Sequence, residues 1–398
     1  MKKFLLSLAS VLAGSAAYAQ FYYQDSQNPQ MLHHSTHNQP CRTEVVLPAQ
    51  LNGFNIYKAD LHTHTVFSDG SVLPKYRVAE AWQDGLDIMA VTEHIEYRPA
   101  EDTFVDYLEK YTDKKHRQAK NNRLIGQDAD KDGIMVDLNY SVRESQAAAR
   151  QYGITIIPGS EITRNGTTIG HFNALFTTDN NLIYDKDPLT AIRNAKAQGA
   201  LVMHNHPGWT KKSLDYTDVE KAAYEEGLID GVEVMNGEEF YPGIVDRVRE
   251  HGLFIAANSD IHGSTAADYR NGGSIRPMTL ILARDKSLES VREALEAGRT
   301  LALGFNTVCG DEQLLKDLFK ASVKTEVVGK DSKGRPTVMI TNCTSVPYFI
   351  QKGKGNPLYL NPFSTISVKG AADSETIGFT VLNMFCSTDG HPVVEVTF

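Results

Sequence analysis

The sequence lacks the features that would direct it into a membrane or onto a nucleic acid. After the first twenty residues, no segment approaches the roughly eighteen consecutive apolar residues that a membrane-spanning helix needs. The 40 Lys and Arg residues are outnumbered by 49 Asp and Glu residues and form no basic run, so polymeric nucleic acid is a poor candidate partner. A small anionic substrate is compatible with the formal net charge of -9, because bound metal ions can supply positive charge locally.

Cysteine is scarce, with only Cys41, Cys309, Cys343 and Cys386 in 398 residues. None stands beside a histidine in a context typical of a thiol nucleophile, so the sequence does not favour a cysteine enzyme. Four cysteines allow three pairings in an exported protein. Cys343 with Cys386 is the most natural pair, because both lie in the strand-rich C-terminal segment; ordinary buried thiols are the alternative.

The first 54 residues are expected to precede the folded core. Two lysines, the apolar run 4–13 and the small-x-small site Ala17-Tyr18-Ala19 predict a signal peptide over residues 1–19. The mature protein is then exported, periplasmic or secreted, with no membrane anchor. Residues 20–54 are rich in Gln, Asn and His without periodicity, which predicts a weakly ordered leader. Its histidines, at positions 33, 34 and 37, have nothing to orient them and are left out of the site.

Residues 55–308 alternate short apolar strands with amphipathic helices. Examples are the strand 86–92 followed by a helix near 138–152, and the helix 188–198 followed by the strand 200–203. Strands separated by helices of this kind predict parallel βα units, and seven or so of them predict an α/β fold with a closed or nearly closed barrel. An open doubly wound sheet is the alternative, but no Gly-rich phosphate loop follows the first strand.

Residues 309–398 have a different pattern. Short apolar runs broken by Gly, Pro, Asn and Asp predict a small all-β, sandwich-like domain. It contains one histidine, His391, and no recognisable site. Packing against the barrel and binding a partner are both open roles for it.

The barrel pattern begins with Asp60-Leu61-His62-Thr63-His64, with Asp69 five residues further on. Residues i and i+2 of a strand point to the same side, so His62 and His64 can converge on one metal ion. Other polar residues also follow predicted strands, where a βα barrel carries its chemistry. Together the candidate ligands are His62, His64, Asp69, His94, Glu161, His171, His206, Asp260 and His262. Nine donors exceed what one ion can use and suit two or three ions.

The ordered motifs His-x-His, Thr-Glu-His, Gly-Ser-Glu, His-Pro-Gly and Ser-Asp-x-His, between residues 58 and 304, resemble the PHP (polymerase and histidinol phosphatase) superfamily. The resemblance implies a distorted (βα)7 barrel that hydrolyses phosphoesters with two or three divalent ions: zinc, manganese or iron. The implied ligands are His62, His64, Glu161 and Asp260 for the first ion; Glu161, His171 and His206 for the second; and Asp69, His94 and His262 for the third.

Several neighbouring residues could assist. Asp60 and Glu93 adjoin ligand histidines and could orient their rings, as metal-bound histidine requires, or could be exposed carboxylates. His204, two residues before His206, is a candidate substrate-binding group. The arginines that follow motif positions could bind phosphate or form surface ion pairs; they are Arg98, Arg164, Arg270 and Arg276, of which we favour Arg98 and Arg276.

An insertion at about 99–136 interrupts the barrel pattern. Within it, Asp128, Asp130 and Asp132 match the start of a calcium-binding EF-hand loop, but the twelfth position is Asn139 instead of glutamate. Calcium and a simple acidic turn are both open here. The insertion is expected to shape access to the site.

We therefore predict an exported, metal-dependent phosphoesterase that acts on a small phosphoester. A metal-bridged hydroxide would attack phosphorus, and the ions would stabilise the developing charge. Resemblance to exported members with a C-terminal β domain favours a phosphodiesterase. The alternatives are a phosphomonoesterase of the histidinol-phosphatase type and a non-catalytic metal- or glycan-binding protein. The sequence predicts no oligomeric state.

Overall fold

The computed structural model describes residues 22–34, 41–98, 137–269, 271 and 275–398. The predicted signal peptide, His37, the insertion with its possible calcium site at Asp128, Asp130 and Asp132, and Arg270 lie outside these ranges. The chain divides into two compact units, Met1–Arg42 and Thr43–Phe398. No helix among the described residues is long and apolar enough to span a membrane.

The described part of the first unit contains a hairpin. Strand β1 (Tyr22–Gln24) pairs antiparallel with β2 (Leu32–His34). The ring of His33 bonds to the carboxylate of Asp25 at 2.6 Å, within the same unit. The segment predicted as a weakly ordered leader thus contains a short hairpin.

The second unit is built on one curled sheet. Its strands are β3 (Gln50–Leu51), β4 (Phe54–Asp60), β5 (Ile88–Val91), β6 (Thr155–Thr163), β7 (His171–Leu175), β8 (Leu201–His204), β9 (Gly231–Asn236), β10 (Glu239–Phe240), β11 (Phe254–Asn258), β12 (Met278–Ala283), β13 (Thr300–Gly304), β14 (Thr307–Gly310) and β21 (Met384–Phe385). Most of these strands are buried on both faces, which explains their nearly continuous apolar sequences.

Helices connect many of these strands. They are α1 (Pro74–Gln83), α2 (Tyr140–Tyr152), α3 (Pro188–Ala197), α4 (Asp218–Glu225), α5 (Gly243–His251), α6 (Thr265–Asp268) and α7 (Leu288–Glu296), with a 3-10 turn at Asn180–Leu182. Local signals set their ends: Pro starts α1 and α3, Thr217 and Glu220 form a capping box on α4, and Gly153 ends α2 in the left-handed conformation.

The sheet is mixed, and it curls into a half-barrel. Strands β4, β5 and β6 are parallel, as are β8, β9 and β11. In contrast, β7 is antiparallel to both β6 and β8, and β12 is antiparallel to β4. The α/β barrel class is thus confirmed, although the sequence pattern did not predict β7, which follows β6 without an intervening helix.

Backbone pairing continues beyond the strand ends and positions the candidate ligands. A parallel bridge joins Thr63 to Ile261, and the amide of Asp260 donates to the carbonyl of His62 at 3.0 Å. A second parallel bridge joins His94 to Glu161. The segments that follow β4, β5 and β11 and the C-terminal part of β6 are therefore held together at one end of the half-barrel.

The C-terminal region contains helix α8 (Glu312–Ser322) and two small sheets. One sheet has β15 (Val323–Lys330), β16 (Pro336–Asn342) and β19 (Thr365–Lys369); the other has β17 (Tyr348–Gln351), β18 (Leu358–Leu360), β20 (Thr376–Val381) and β22 (Val393–Thr397). The sequence analysis missed α8, which Asp311 caps by accepting hydrogen bonds from two backbone amides. One continuous core contains side chains of the half-barrel, α8 and both small sheets.

Cys309, Cys343 and Cys386 are free thiols, so the predicted pairing of Cys343 with Cys386 is not formed. The sulfur of Cys386 instead faces the carbonyl of Gly390 at 3.4 Å, and that of Cys343 faces the carbonyl of Thr341 at 3.8 Å. Each thiol is thus satisfied locally as a weak donor.

Candidate metal centre

The first two histidines meet the carboxylate of Asp260. His62 Nε2 lies 3.2 Å and His64 Nε2 lies 3.1 Å from the same oxygen, Oδ1 of Asp260. Both imidazoles are fully buried at the end of β4. The convergence of His62 and His64 that their spacing predicts is therefore present.

A second group of donors surrounds Asp69. Its Oδ1 lies 3.2 Å from His94 Nε2 and 3.1 Å from His262 Nε2. The ring of His64 stacks on those of His94 and His262 with centroids 4.3 Å apart in both cases. The three rings and the carboxylate thus come from three different strand ends and face one small volume.

Glu161 lies between the other donors. Its carboxylate is 3.1 Å from His171 Nδ1, 3.7 Å from the Nε2 atoms of His62 and His64, and 3.8 Å from His206 Nε2. Four overlapping groups of donors could each hold an ion: His64, Asp69, His94 and His262; His62, His64 and Glu161; His62, His206 and Asp260; and Glu161, His171 and His206. All nine residues selected from the sequence occur in these groups.

The arrangement of the donor atoms is better suited to binding divalent cations than to hydrogen bonds between the side chains themselves. The Nε2 atoms of His62 and His64 and the Oδ1 atoms of Asp69 and Asp260 are buried without a hydrogen-bond partner. Buried polar atoms are rarely left in this state. Two ligands that are each about 2.1 Å from one ion would lie about 3.0 Å apart at a right angle and about 3.4 Å apart at the tetrahedral angle. The observed separations of 3.1–3.2 Å lie between these values.

The electrostatics of the site favour cations. Burial raises carboxyl pKa values, but the surrounding histidines hold the pKa of Glu161 well below its usual range and also lower the pKa values of Asp69 and Asp260. Burial lowers the pKa of His94, but Glu161 and Asp69 outweigh it and raise this pKa to about 10. Three carboxylates are therefore ionised at neutral pH and attract positive charge, which protons or divalent ions can supply.

Two of the candidate ligands have an unusual backbone conformation. His206 and Asp260 adopt positive φ angles of 24° and 51°. Such conformations are uncommon outside glycine and concentrate at functional sites. Both residues lie just beyond strand ends, of β8 and β11, and His206 Nε2 is 3.7 Å from Asp260 Oδ2 and 3.8 Å from Glu161 Oε1.

The PHP domain family matches residues 60–263, slightly more than half of the chain. In structure, the chain is similar to a two-domain protein from Bacteroides vulgatus ATCC 8482 that contains a predicted PHP-like metal-dependent phosphoesterase. The two share 32% sequence identity with a TM-score of 0.76, over 91% of this chain and 100% of that one. The chain belongs to the PHP family. The resemblance inferred from the ordered motifs is confirmed.

Two other structures are similar to the PHP domain at a lower level. One is a proposed metal-dependent phosphoesterase from Bifidobacterium adolescentis ATCC 15703, with 17% identity over 64% of this chain and 98% of that chain, and a TM-score of 0.38. The other is an amidohydrolase from Chromobacterium violaceum with bound sulfate and no metal, with 15% identity over 53% and 89%, and a TM-score of 0.34. Both likenesses are too weak to bear on chemistry. No curated protein matches the chain.

The PHP site includes a carboxylate that sequence reasoning missed. Glu233 Oε1 lies 2.9 Å from His62 Nδ1, and Oε2 accepts a hydrogen bond from the amide of His206 at 2.7 Å. Glu233 is fully buried on β9. An acidic residue inside an otherwise apolar strand, Gly-Val-Glu-Val-Met, is the signal that could have identified it.

The two predicted orienting residues have different roles. Glu93 accepts a hydrogen bond from Ser68 Oγ at 2.5 Å, and that oxygen lies 3.3 Å from His64 Nδ1, so Glu93 acts on the ring through Ser68. Among the described residues, Asp60 has no imidazole as a hydrogen-bond partner. It accepts from the backbone amide of His62 at 3.1 Å and binds Arg276.

The structure does not support the predicted substrate-binding roles of His204, Arg98 and Arg276. The ring of His204 is buried against Glu220 and Tyr224, at 3.0 and 3.1 Å, behind the site. Arg276 is buried and binds Asp60 and Asp84. Arg98 is also buried and donates to the carbonyl of His94 at 2.9 Å. None of the three lines the cavity above the donors.

That cavity has a volume of about 860 Å³ and opens above the metal-site residues. Arg164 lines it and pairs with Glu96 at 2.9 Å, while its Nε is buried without a hydrogen-bond partner. Burial raises the pKa of Glu96 to about 7, although Arg164 acts in the opposite direction. Tyr97 and Trp209 also line the cavity. Sequence reasoning gave Arg164 second rank and did not select either aromatic residue.

Proposed function

We propose that this PHP protein is an exported phosphodiesterase that uses divalent metal ions. The broader class, a metal-dependent phosphoesterase of the PHP type, follows from its family and its donor set. The observation that carries the proposal is that the four donor groups overlap, with His62, His64, Glu161 and His206 each belonging to two of them, because shared ligands allow neighbouring ions. Export is supported by the pattern of residues 1–19.

The ions would be held by the nine donors at the strand ends, with Glu161 shared between neighbouring ions. When bound, they would polarise the phosphoryl oxygens and make hydroxide available near neutral pH by lowering the pKa of water. An imidazole-rich site that also has carboxylates suits zinc, manganese or iron.

The remaining steps depend on side chains of the chain itself. Ionised Glu161, Asp69 and Asp260 would balance the charge of bound cations, and Asn205 holds Glu161 by donating to its Oε1 at 3.0 Å. Arg164 lines the cavity, and its guanidinium would donate to an oxygen of the phosphoryl group. Such charge-assisted hydrogen bonds stabilise negative charge that develops in the reaction.

The charge of the cavity favours a diester over a monoester. Among the described residues that line it, Arg164 is the one permanently cationic side chain, and it is already paired with Glu96. A diester carries one negative charge at neutral pH, and a monoester carries close to two. A cavity with one cationic side chain among its described lining residues therefore suits the singly charged diester better than the monoester.

The test compares bis(4-nitrophenyl) phosphate with 4-nitrophenyl phosphate, with metal content measured on the same sample. We expect faster release of nitrophenolate from the diester, in proportion to bound metal. The opposite preference would favour a phosphomonoesterase. Less than one metal per chain together with no hydrolysis after addition of manganese or zinc would favour a non-catalytic binding protein.

A further inference from the structure

Trp209 has an exposed ring at the edge of the metal-site residues. It is one of two tryptophans in the chain. Its ring centroid lies 5.3 Å from that of His171 and 5.2 Å from that of His206, yet 44% of the residue remains exposed and lines the cavity. An exposed large aromatic surface beside buried polar groups is the unusual observation here.

The turn that carries Trp209 leaves its ring little freedom. A Cβ atom on Gly166 would lie 2.8 Å from two ring atoms of Trp209, so the backbone of Gly166 packs directly on the ring. Gly208 packs in the same way on Tyr241. The flanking residues His206 and Thr210 have positive φ angles of 24° and 60°, which persist only where surrounding contacts impose them. The ring is therefore held in place before any ligand binds.

A fixed, half-exposed indole is suited to stacking. Aromatic rings prefer offset or edge-on partners with centroids 4.5–7 Å apart, and planar bases stack on exposed tryptophan. The neighbouring lining is polar and includes the hydroxyls of Thr167 and Thr210, which lie 3.4 Å from each other. A flat ring with polar atoms on its edge could stack on the indole and also form hydrogen bonds with these hydroxyls.

We propose that Trp209 forms a stacking subsite for a flat aromatic or heteroaromatic ring carried by the phosphoester. This proposal rests on the proposed function, because it assumes that the phosphoryl group occupies the adjacent metal site. The short distance from the indole to His171 and His206 means that the ring is joined to the phosphoryl group directly or through one sugar unit. The subsite thus selects aryl or nucleoside phosphoesters over those of aliphatic alcohols.

The test compares the affinities of paired ligands in which one member has a flat ring and the other does not. Phenylphosphonate is compared with cyclohexylphosphonate, and adenosine 5′-monophosphate with ribose 5-phosphate, on the metal-loaded full chain. Binding is followed by tryptophan fluorescence in the W82F variant, which leaves Trp209 as the only indole. Trp82 packs beside Tyr152 and is not one of the residues that line the cavity, so it is a suitable position for this change.

We expect the ring-bearing ligand to bind about tenfold tighter in at least one pair and to quench the fluorescence. The same pairs are then measured on W209A and W209F by calorimetry. The preference should fall to within about twofold in W209A and be largely retained in W209F. Preference in both pairs identifies a nucleobase as an acceptable ring, and preference in the phenyl pair alone limits the subsite to small aryl groups.

Equal affinity within both pairs in the unsubstituted protein would overturn the proposal, as would an unchanged preference in W209A. Because W209A also removes contacts with two metal-site histidines, its metal content is measured alongside. The binding readout needs no turnover. Hydrolysis without ring preference would therefore refute the subsite alone, and ring-dependent binding without hydrolysis of any ester would refute the proposed function alone.

Discussion

Glu233 and His62 form a buried pair in which the carboxylate oxygen Oε1 lies 2.9 Å from the ring nitrogen Nδ1. A proton on Nδ1 leaves Nε2, on the opposite side of the ring, free to face Asp260 and Glu161. Asn258 also donates to Oε1 at 2.9 Å, so the carboxylate is itself held. Partners of this kind set the tautomer and orientation of a metal-binding histidine.

Replacing Glu233 with glutamine should weaken metal binding by roughly 10- to 100-fold, because the new amide group turns N–H groups toward existing donors. Titration of the metal-free protein with zinc or manganese against a competing chelator measures this change. Exposed Glu238, five residues further along the chain, is the matched control, and its glutamine variant should bind metal normally. Equal affinities in the two variants would contradict the positioning role.

Replacing Asp260 with asparagine should reduce the rate of hydrolysis by more than about 100-fold, since Asp260 Oδ1 faces two imidazoles and is a candidate metal ligand. Loss of a residue that only supports a metal ligand typically costs up to about 100-fold. Metal content should fall with the rate of hydrolysis, and His62→Ala should behave similarly. Asparagine tolerates the positive φ at this position, so backbone strain does not explain the loss. Asp373→Asn, at an exposed site with a similar φ, is the control. A fully active D260N enzyme would refute the assignment.

Arg276 should matter for stability and not for substrate binding. Its guanidinium is buried and donates to Asp60, to Asp84 at 3.2 Å and to Ser259 at 2.8 Å. Arg276→Met would remove the cation that pairs with the buried carboxylates of Asp60 and Asp84, which costs about 3–5 kcal/mol in the free energy of unfolding. Urea unfolding measures this cost, with exposed Arg284→Met as the control. A raised KM with unchanged stability would instead restore the phosphate-binding role predicted from sequence.

Removal of metal should lower the melting temperature. Ionised Glu161, Asp69 and Asp260 lie close together, and bound cations would relieve their repulsion. A site loaded at 100 times its Kd adds about 2.7 kcal/mol to the free energy of unfolding. Calorimetry before and after treatment with a chelator, followed by re-addition of zinc or manganese, tests this expectation. The His62→Ala variant should show a smaller shift; an equal shift would place the stabilising ions elsewhere.

The C-terminal sheets should depend on the core that they share with the half-barrel. Phe319 on α8 is fully buried, and its ring centroid lies 5.0 Å from that of Tyr348 on β17. Phe319→Ala should reduce the free energy of unfolding by about 3–5 kcal/mol through cavity formation. Leu182→Ala, at a residue that is 64% exposed, is the control. If Phe319→Ala unfolds only the C-terminal segment while metal binding persists, the two parts are independent.

The sequence by itself was sufficient to select the nine donors and the α/β class. Buried strands are readable as apolar runs, and polar residues that directly follow such runs converge because the strand ends share one edge of the sheet. That reasoning needs no knowledge of exact registers. It identified His62, Glu161 and Asp260 even though the sheet contains the unpredicted antiparallel strand β7.

Only the tertiary structure decided which polar residues, other than the nine donors, contact the site. The two-residue alternation that would place His204 beside His206 ends with β8, and the positive φ of His206 then turns the chain. Arg276 depends on Asp60, which lies 216 residues earlier in the chain, and Trp209 on its contact with Gly166 in another loop. Local sequence patterns cannot encode such partners, because long-range packing determines them.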